Sequence, residues 1–500
     1  MGVIPAGTEC DQIGALLGRW SAERPTSTAI RSATRNGWHA VSWAEFAVAA
    51  NRVAASARRL ISPPGPVTTV IDNSVESVCV LLGLWQAGLD TLLLEHTSSY
   101  LADTGSAVWT CGATALVGPA EVAGQEWRGL GTRLSYLDLL ADAGQLSRPD
   151  RTAEREPSVL QLTSGSTGEP RIAVHPLANI VRGGLLYRDI HQVSEADVIV
   201  VPLPLAHSFG LVGGLMMAIC SGAEADTMRR LLLGRLIEAV SRPGAIVLGT
   251  PLLYRLATAA SVPAVDLGAN GQSPAKSALC SGGPLPPEIG EAARNWLGCR
   301  LSQVYGSTET GLISCECATD RLRPRGSVGR PAPGVTVRFT DPPPDSADLR
   351  SADGAAAVFE LWVRTTTMCA GYLDGDSPLT DGFFRTGDLG AMDGEGRLYL
   401  AGRKATFINV GGRKVSAARL ERLVRGTGMV TDVAVYGVDR GQGDEEIHAA
   451  IELAPGFDLQ QVRARCSGLF SNYEIPHAFH VLAQLPRGPL GKVQRERLPR

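Results

Sequence analysis

The chain has 500 residues, more than one hydrophobic core usually serves, so we expect two or more domains. Its composition, 44% hydrophobic and 19% charged, is that of an ordinary globular protein and excludes a disordered chain. A net charge of −3 gives no bulk attraction to nucleic acid, so no nucleic-acid partner is expected and any anion site must be local.

Targeting and redox signals are weak in this sequence. The N-terminus lacks the basic segment and apolar run of a secretory signal. The most apolar stretch, residues 210–220, is shorter than the ~20 residues that span a bilayer. The ten cysteines contain no CxxC pair, so free thiols are expected rather than a zinc or redox site. These features predict a cytoplasmic protein without a membrane span.

Helical and extended patterns alternate through the first three hundred residues. Apolar residues at helical spacing predict a helix over residues 43–60, and a second helix is predicted over residues 75–87. Short β-branched or apolar runs predict strands at residues 67–71, 91–94, 198–201, 245–248 and 278–279. Strands that alternate with helices predict a large, doubly wound α/β body.

The pattern changes near residue 330. Short strands at residues 335–339 and 358–363, separated by proline and Asp-Gly turns, predict a small β subdomain over about 330–400. Farther on, helices are predicted at residues 417–424 and 459–470, with strands at residues 432–438 and 447–453. We therefore predict an N-terminal domain over residues 1–402 and a small, mobile α+β C-terminal domain over residues 403–500.

A Ser/Thr/Gly-rich loop spans residues 163–171. Its glycines let backbone N–H groups turn toward an anion, and its hydroxyls add further donors. It is not a P-loop, because no Lys-Ser/Thr follows the second glycine, and a plain surface turn is the alternative interpretation. The candidate phosphate-binding residues are Thr163, Ser164, Gly165, Ser166, Thr167, Gly168 and Arg171.

Read with other segments, this loop resembles the phosphate-binding signature of the adenylate-forming superfamily, which includes acyl-CoA synthetases, peptide-synthetase adenylation domains and luciferases. Residues 305–309 (YGSTE) and 385–389 (RTGDL) are similar to two further motifs of that family. Residues 402–403, 411–415 and 489–493 resemble its hinge, its pantetheine-side loop and its terminal PxGK segment. The motifs occur in family order across nearly the whole chain, and the pattern is most similar to stand-alone acyl- or aryl-CoA ligases.

The resemblance implies a role for each matched residue. Lys492 would bridge the two anions that meet when a carboxylate attacks the α-phosphate. Glu309 would hold Mg²⁺, and Asp388 with Arg403 would bind the ribose hydroxyls. The other implied roles are catalysis for His207 and Thr167, nucleotide binding for Gly282, Gly283, Pro284, Tyr305, Gly306, Ser307 and Thr308, and acyl-substrate binding for His207, Ser208, Phe209, Gly282 and Gly306.

Three positions depart from the family pattern. Arg171 replaces the common lysine at the end of the phosphate loop, which keeps the charge but changes its shape. Ala405 stands where a polar hinge residue is usual, and Asn409 stands where several relatives have lysine. Residues 205–209 contain no carboxylate to hold an α-ammonium group, so an aryl or other non-α-amino carboxylic acid is expected.

The implied reaction uses ATP and Mg²⁺ to make an acyl-AMP with release of pyrophosphate. The acyl group then passes to a thiol, that of CoA or of the phosphopantetheine on a separate carrier protein. An amide bond synthetase, in which an amine attacks the adenylate, is a second hypothesis that Ala405 mildly favours. An inactive nucleotide-binding regulatory homologue is a third, and the joint presence of Thr167, Glu309, Asp388 and Lys492 argues against it.

Overall fold

The structure is a computed structural model that describes residues 12–62, 65–96, 98, 107–125, 130–141, 156–163, 171–259, 273–317, 324, 326–340, 359–403, 407–410, 413–441, 444–470, 474–488 and 492–500. The α-helices are α1 Gln12–Glu23, α2 Trp43–Leu60, α3 Val75–Gln86, α4 Ala107–Thr110, α5 Ala120–Ala123, α6 Tyr136–Ala141, α7 Leu177–His191, α8 Ser208–Gly210, α9 Met217–Ser221, α10 Leu233–Val240, α11 Pro251–Ala259, α12 Pro287–Leu297, α13 Ala417–Arg425 and α14 Leu459–Leu469. A π-helical segment, Leu211–Met216, joins α8 to α9, and a 3₁₀ turn lies at Arg495–Arg497.

The strands in the first part of the chain are β1 Thr28–Thr34, β2 Gly37–Ser42, β3 Val67–Ile71, β4 Thr91–Glu95, β5 Ala115–Gly118, β6 Thr132–Ser135, β7 Ser158–Leu162, β8 Ile172–Pro176, β9 Val198–Val201, β10 Glu224–Met228, β11 Ala245–Gly249, β12 Ala275–Cys280, β13 Arg300–Ser307, β14 Gly311–Cys315 and β15 Arg330–Pro331. The later strands are β16 Thr336–Thr340, β17 Phe359–Arg364, β18 Gly371–Tyr372, β19 Leu379–Thr380, β20 Phe383–Met392, β21 Leu398–Arg403, β22 Phe407–Val410, β23 Arg413–Ser416, β24 Val430–Gly441, β25 Asp444–Leu453 and β26 Ala478–Val481.

Two compact units divide the chain. The first comprises residues 1–323, 329–336 and 364–382, and the second comprises residues 324–328, 337–363 and 383–500. The second unit therefore contains most of the predicted β subdomain together with the C-terminal residues. The predicted boundary at residue 402 stays a prediction.

The first unit contains two sheets. One has nine strands in the order β15-β14-β13-β12-β11-β9-β10-β1-β2, and the other has seven in the order β18-β8-β7-β4-β3-β5-β6. Strands β9 to β13 with β1 run parallel, as do β3 to β7, whereas β2, β8, β14, β15 and β18 pair antiparallel. Helices cover these sheets, because parallel strands bury both faces and need apolar cover.

Helix α2 shows how local sequence sets these elements. The Ser42 hydroxyl accepts the Glu45 N–H, and the Glu45 carboxylate accepts the Ser42 N–H, which forms a capping box at the start of the helix. Arg58 and Arg59 in the last turn interact favourably with the helix dipole. Phe46 and Val53 lie on the buried face, as the periodicity predicts.

The second unit combines an antiparallel sheet with a smaller α+β part. Strand β20 pairs with β17 on one side and β21 on the other. In the C-terminal residues, β24, β25 and β26 form a three-stranded sheet. Its buried residues, with those of α13 and α14, form a separate hydrophobic core. The predicted α/β class with a smaller α+β C-terminal part is confirmed.

Two expectations concern the whole chain. Among the described residues, no helix combines the length and apolar character needed to cross a membrane. The nine cysteines that the structure describes are free thiols, and burial raises the pKa of most of them. A neutral, buried thiol is a poor nucleophile.

Candidate functional site

The matched segments of the first unit follow the carboxyl ends of parallel strands. Thr163 follows β7 and Glu95 ends β4 in the seven-stranded sheet, whereas Gly282 follows β12 and Tyr305 lies near the end of β13 in the nine-stranded sheet. Ligands in α/β proteins bind at this edge of a sheet. The first unit therefore presents two such edges, and the candidate residues lie on both.

Asn73 connects the two edges. It follows β3 with a left-handed backbone (φ 62°), and its side-chain amide donates to the carbonyls of Leu203 (2.8 Å) and Met228 (3.2 Å). Its amide oxygen accepts the N–H of Leu205 at 3.0 Å. Asn73 is buried, so these bonds are shielded from water. They fix the segment that leads into the predicted acyl-binding residues 207–209.

The segment around Glu309 forms a tight turn between β13 and β14. The hydroxyls of Ser307 and Thr310 are 3.0 Å apart, and each accepts the backbone N–H of the other residue at 3.2 Å. Gly306 is sterically required, since a Cβ there would lie 2.2 Å from the Gly311 carbonyl oxygen. The turn presents the half-buried Glu309 carboxylate, and Tyr305 lies on β13 shortly before the turn.

A second segment, residues 365–372, braces this turn. The hydroxyls of Thr365 and Thr367 donate to the Thr310 carbonyl at 2.7 and 3.0 Å, and the Cys369 N–H donates to the Glu309 carbonyl at 2.8 Å. Both threonines are buried. The Glu309 backbone is thereby held on a rigid support, as a metal ligand requires.

Tyr372 contacts the Glu309 side chain itself. Its hydroxyl donates to Glu309 Oε1 at 3.2 Å. Burial, followed by the neighbouring Glu309 charge, raises the pKa of Tyr372, so the phenol stays protonated and remains a donor. Tyr372 lies on β18, which pairs with β8, the strand that follows the phosphate loop.

Arg171 directly precedes β8. Its guanidinium stacks over the Tyr372 ring, 3.8 Å from the centroid, and contacts Asp374 (2.7 Å) and Asp376 (2.9 Å). Hydrogen bonding to Arg171 lowers the pKa of Asp374. The Thr163 N–H donates to the Arg171 carbonyl at 2.8 Å, so the two ends of the predicted phosphate loop are joined. Residues 164–168 of that loop, Thr167 among them, lie outside the described residues.

His175 lies on the same strand and is buried. Neither of its ring nitrogens has a hydrogen-bond partner among the described residues. Burial lowers the pKa of His175 to about 4, and the nearby Thr308 backbone opposes this shift. A neutral imidazole therefore lies close to the turn that carries Glu309.

The predicted adenine-side loop follows β12. Gly282 has a left-handed backbone (φ 90°), and the Ser281 N–H donates to the Gly249 carbonyl at 3.1 Å. A Cβ at Gly283 would meet nothing within 4 Å, and Gly282, Gly283 and Pro284 are exposed. The loop leaves open space for an approaching group.

His207, one of the predicted acyl-binding residues, has a hydrogen-bond partner that the sequence did not predict. His207 Nε2 is hydrogen-bonded to Oε1 of Glu95, the last residue of β4. The Ser208 hydroxyl donates to Gln161 Oε1 at 2.8 Å, and Gln161 Nε2 donates to the Ala206 carbonyl at 2.9 Å. A carboxylate directly after a buried parallel strand is the signal that could have identified Glu95, since functional groups gather at that edge.

An aromatic wall lies next to these residues. The rings of Phe209 and Tyr187 are 6.4 Å apart, and a Cβ at Gly213 would lie 3.0 Å from the first and 3.1 Å from the second. Gly213 belongs to the π-helical segment, a distortion that occurs frequently at functional sites. Phe209 is half-buried, so it offers apolar surface to a ligand.

In the second unit, Asp388 lies opposite Arg403 in the β20–β21 pair. Asp388 is buried, and its N–H donates to the Thr386 hydroxyl oxygen at 3.0 Å. That hydroxyl donates in turn to the Leu361 carbonyl at 2.7 Å. The register brings the two predicted ribose-binding residues side by side on adjacent strands.

Lys492 lies near the end of the same unit with an exposed side chain. Its carbonyl accepts the Gly488 N–H at 2.8 Å, and Arg487 and Val493 form an antiparallel bridge. Arg487 also pairs with the buried Asp432. These contacts anchor both flanks of the segment that carries the lysine.

Divalent-cation chemistry fits the Glu309 turn. Mg²⁺ prefers one or two carboxylates completed by phosphate oxygens and water. Glu309 offers such a carboxylate, of which Tyr372 uses one acceptor position. No group of three or more His, Cys, Asp or Glu suited to a metal ion occurs in the described part of the chain. The residues thus suit a metal whose remaining ligands come from a bound phosphate.

The family model described as AMP-binding enzyme matches residues 17–373. The chain is 29% identical to the indoleacetate–CoA ligase of Aromatoleum aromaticum over 375 residues, which cover 73% of this chain and 71% of that protein. It is 27% identical to the sulfoacetate–CoA ligase of Cupriavidus necator over 523 residues, with 98% and 97% covered.

Solved structures show a likeness of fold. The O-succinylbenzoate coenzyme A synthetase from Bacillus subtilis, in complex with ATP and magnesium ion, matches with a TM-score of 0.78 and 21% identity. The match covers 97% of this chain and 98% of that one.

Proposed function

Because this chain belongs to the AMP-binding enzymes, the adenylate-forming family of ATP-dependent, AMP-forming ligases, we propose that it activates an aryl or other non-α-amino carboxylic acid and passes the acyl group to a thiol. The acid reacts with ATP to give acyl-AMP and pyrophosphate. The thiol, that of CoA in the first instance, then displaces AMP. The relatives named above are CoA ligases, which supports CoA as the acceptor.

The observation that carries the proposal is the support around Glu309. Its backbone is held by Cys369 and its carboxylate by Tyr372, which also contacts Arg171 at the end of the phosphate loop. A fixed carboxylate beside an anion-binding loop suits a nucleotide triphosphate with its metal. Mg²⁺, held by Glu309, would neutralise charge on the phosphates.

In the first step, a carboxylate oxygen attacks the α-phosphorus of ATP. A new P–O bond forms, the α–β phosphoanhydride bond breaks, and pyrophosphate leaves with that electron pair. Attack brings two anions together, so a cation at the reacting oxygens lowers the barrier. We assign this role to Lys492, whose compact ammonium on a flexible stem suits it.

In the second step, the thiolate attacks the acyl carbonyl and the C–O bond to AMP breaks. The products are a thioester and AMP, and the thiol proton goes to solvent or to AMP. With an amine as the acceptor the same step would give an amide. A carrier-protein phosphopantetheine would react as CoA does.

The acyl side is assigned to His207, Ser208 and Phe209. The half-buried Phe209, packed near Tyr187, supports an apolar or aromatic acid. Glu95, bonded to His207, adds an acceptor for a polar N–H or O–H group on that acid.

The test is acid-dependent exchange of pyrophosphate into ATP across a panel of aryl, arylalkyl and aliphatic acids. Active acids are then incubated with ATP and either CoA or amines, and products are identified by mass spectrometry. We expect exchange with aryl or arylalkyl acids and a thioester with CoA. Formation of an amide without any thioester would show that the acyl acceptor is an amine rather than a thiol. Absence of exchange with every acid would overturn the proposal.

A further inference from the structure

Arg171, Tyr372 and Glu309 form a continuous chain of contacts in the first unit. The guanidinium lies 3.8 Å from the Tyr372 ring centroid, and the Tyr372 hydroxyl donates to Glu309 Oε1 at 3.2 Å. A charge on Arg171 makes the stacked ring electron-poor, which strengthens the phenol as a donor. The residue at the loop end is thus coupled physically to the carboxylate.

The backbone arrangement fixes this chain of contacts. Tyr372 pairs with Ala173 across the β8–β18 register, and the Leu373 N–H donates to the Ile172 carbonyl at 2.9 Å. From the other side, Cys369 holds the Glu309 backbone. The short strand β18 therefore bridges the strand after the phosphate loop and the turn that carries Glu309.

The charges around Arg171 disfavour direct phosphate binding. Its guanidinium contacts the carboxylates of both Asp374 and Asp376, and Glu309 lies beyond Tyr372. One cation among three carboxylates leaves an excess of negative charge, which attracts a divalent cation and repels a free phosphate. The two aspartate pairs are largely exposed, so their main effect is on the orientation of the guanidinium rather than on stability.

We propose that Arg171 is a positioning residue, which acts through Tyr372 to orient the Glu309 carboxylate for a divalent cation and does not itself bind the triphosphate. Asp374 and Asp376 hold the guanidinium flat against the ring. This inference rests on the proposed adenylation, because the cation concerned is the one that accompanies ATP.

The planar shape of arginine explains why it stands here. A guanidinium can stack on a ring and present N–H groups to two carboxylates in one plane, whereas an ammonium is a point charge. Arg171→Lys keeps the charge and loses the stack. This substitution therefore distinguishes two roles of Arg171. Positioning of Tyr372 needs the planar guanidinium, whereas phosphate binding needs only the positive charge.

The experiment measures Mn²⁺ binding, with a non-hydrolysable ATP analogue present, from the electron paramagnetic resonance signal of free Mn²⁺. Binding of the analogue without metal is measured in parallel by calorimetry. We expect Tyr372→Phe, Arg171→Lys and Arg171→Ala each to weaken Mn²⁺ binding by about tenfold, the effect of losing one hydrogen bond to a charged group. Metal-free binding of the analogue should stay within about twofold of wild type.

Two variants serve as matched controls. Arg19 stacks over Trp20 at 4.2 Å and pairs with Glu23 at 3.0 Å, and Tyr399 donates to Asp393 at 3.0 Å. Arg19→Ala and Tyr399→Phe remove equivalent contacts elsewhere and should leave Mn²⁺ binding unchanged. Thermal unfolding of every variant verifies its fold, and Arg171→Gln, which also removes the charge, replaces Arg171→Ala if the latter unfolds.

The outcomes separate the two claims. Unchanged Mn²⁺ binding in Tyr372→Phe, or weaker metal-free analogue binding in Arg171→Ala with wild-type binding in Arg171→Lys, overturns the positioning role. Weaker Mn²⁺ binding in the variants of a protein that shows no acid-dependent exchange supports the positioning role and overturns the proposed adenylation.

Discussion

His207 Nε2 is hydrogen-bonded to the carboxylate of Glu95, a residue that lies 112 positions earlier in the chain. The carboxylate comes from the end of β4 and is mostly buried, whereas the imidazole is about one-third exposed. A carboxylate bonded to one ring nitrogen fixes the ring's orientation and its tautomer. The role proposed for His207 toward the acid then falls to its other ring nitrogen, Nδ1.

Glu95→Gln should disturb acid binding more than ATP binding. The amide can still bond to His207, but it removes the charge that fixes the imidazole. We expect kcat/KM for the acid to fall by about tenfold, the value of a charge-assisted hydrogen bond, with the KM for ATP within about twofold of wild type. Steady-state exchange kinetics measure both constants.

Glu238→Gln is the control for this prediction. Glu238 accepts from Trp38 Nε1 at 2.8 Å and pairs with Arg235 on the surface. Its substitution should leave both constants unchanged. Wild-type acid kinetics in the Glu95→Gln enzyme would show that Glu95 has no role in binding the acid.

Gly306 and Gly283 offer a matched pair of glycine substitutions. A Cβ at Gly306 would lie 2.2 Å from the Gly311 carbonyl oxygen, whereas one at Gly283 meets nothing within 4 Å. Gly306→Ala should therefore lower the free energy of unfolding by about 2 kcal/mol through overpacking. Gly283→Ala should leave stability unchanged and raise the KM for ATP if the loop lies against the nucleotide.

Urea unfolding followed by fluorescence measures the first effect, and exchange kinetics measure the second. Equal stability of the two variants would show that the Gly306 backbone can shift at little cost. An unchanged KM for ATP in Gly283→Ala would show that this loop does not contact the nucleotide.

His175 predicts a specific dependence of stability on pH. Its pKa in the folded protein, about 4, lies below the ordinary value of 6.5, so the unfolded chain binds a proton more readily. The contribution of neutral His175 to the free energy of unfolding is fully present above pH 6.5 and is lost as the pH falls toward 4. At pH 5 the loss amounts to roughly 2 kcal/mol.

His175→Phe removes this titration and keeps a ring of similar shape. Between pH 7.5 and pH 5 the variant should lose about 2 kcal/mol less unfolding free energy than wild type, as measured by urea unfolding at each pH. His39→Gln, at an exposed histidine, is the control and should follow wild type. Parallel pH profiles for wild type and His175→Phe would contradict the assignment.

Much of the fold was predictable because its signals are local. The helix over residues 43–60 and the strands over residues 67–71 and 198–201 match α2, β3 and β9, since periodicity and caps act within a few residues. The motifs around Glu309 and Lys492 were likewise visible as contiguous patterns. The resemblance to the adenylate-forming superfamily, drawn from them, is confirmed.

The partners of the site residues were not predictable. Glu95 meets His207, and Tyr372 meets Arg171 and Glu309, only after strands distant in sequence have paired. No local pattern encodes such pairing. Residues 205–209 contain no carboxylate, but Glu95 brings one from β4 into contact with His207, so the absence of a carboxylate from that segment does not by itself exclude an α-ammonium substrate.

Lys492→Ala is the sharpest test of the chemical step. The segment is anchored by the Gly488 N–H to the Lys492 carbonyl and by the Arg487–Val493 bridge, which are backbone contacts that the substitution leaves in place. Thermal unfolding of the variant verifies its fold. We expect acid-dependent pyrophosphate exchange to fall by about a hundredfold or more, the usual effect of losing one group that stabilises transition-state charge, while calorimetric ATP binding persists. Arg497→Ala, at an exposed cation five positions later, should retain full exchange. Exchange near wild type in Lys492→Ala would assign the bridging charge to another residue, and loss of ATP binding would make Lys492 a nucleotide ligand instead.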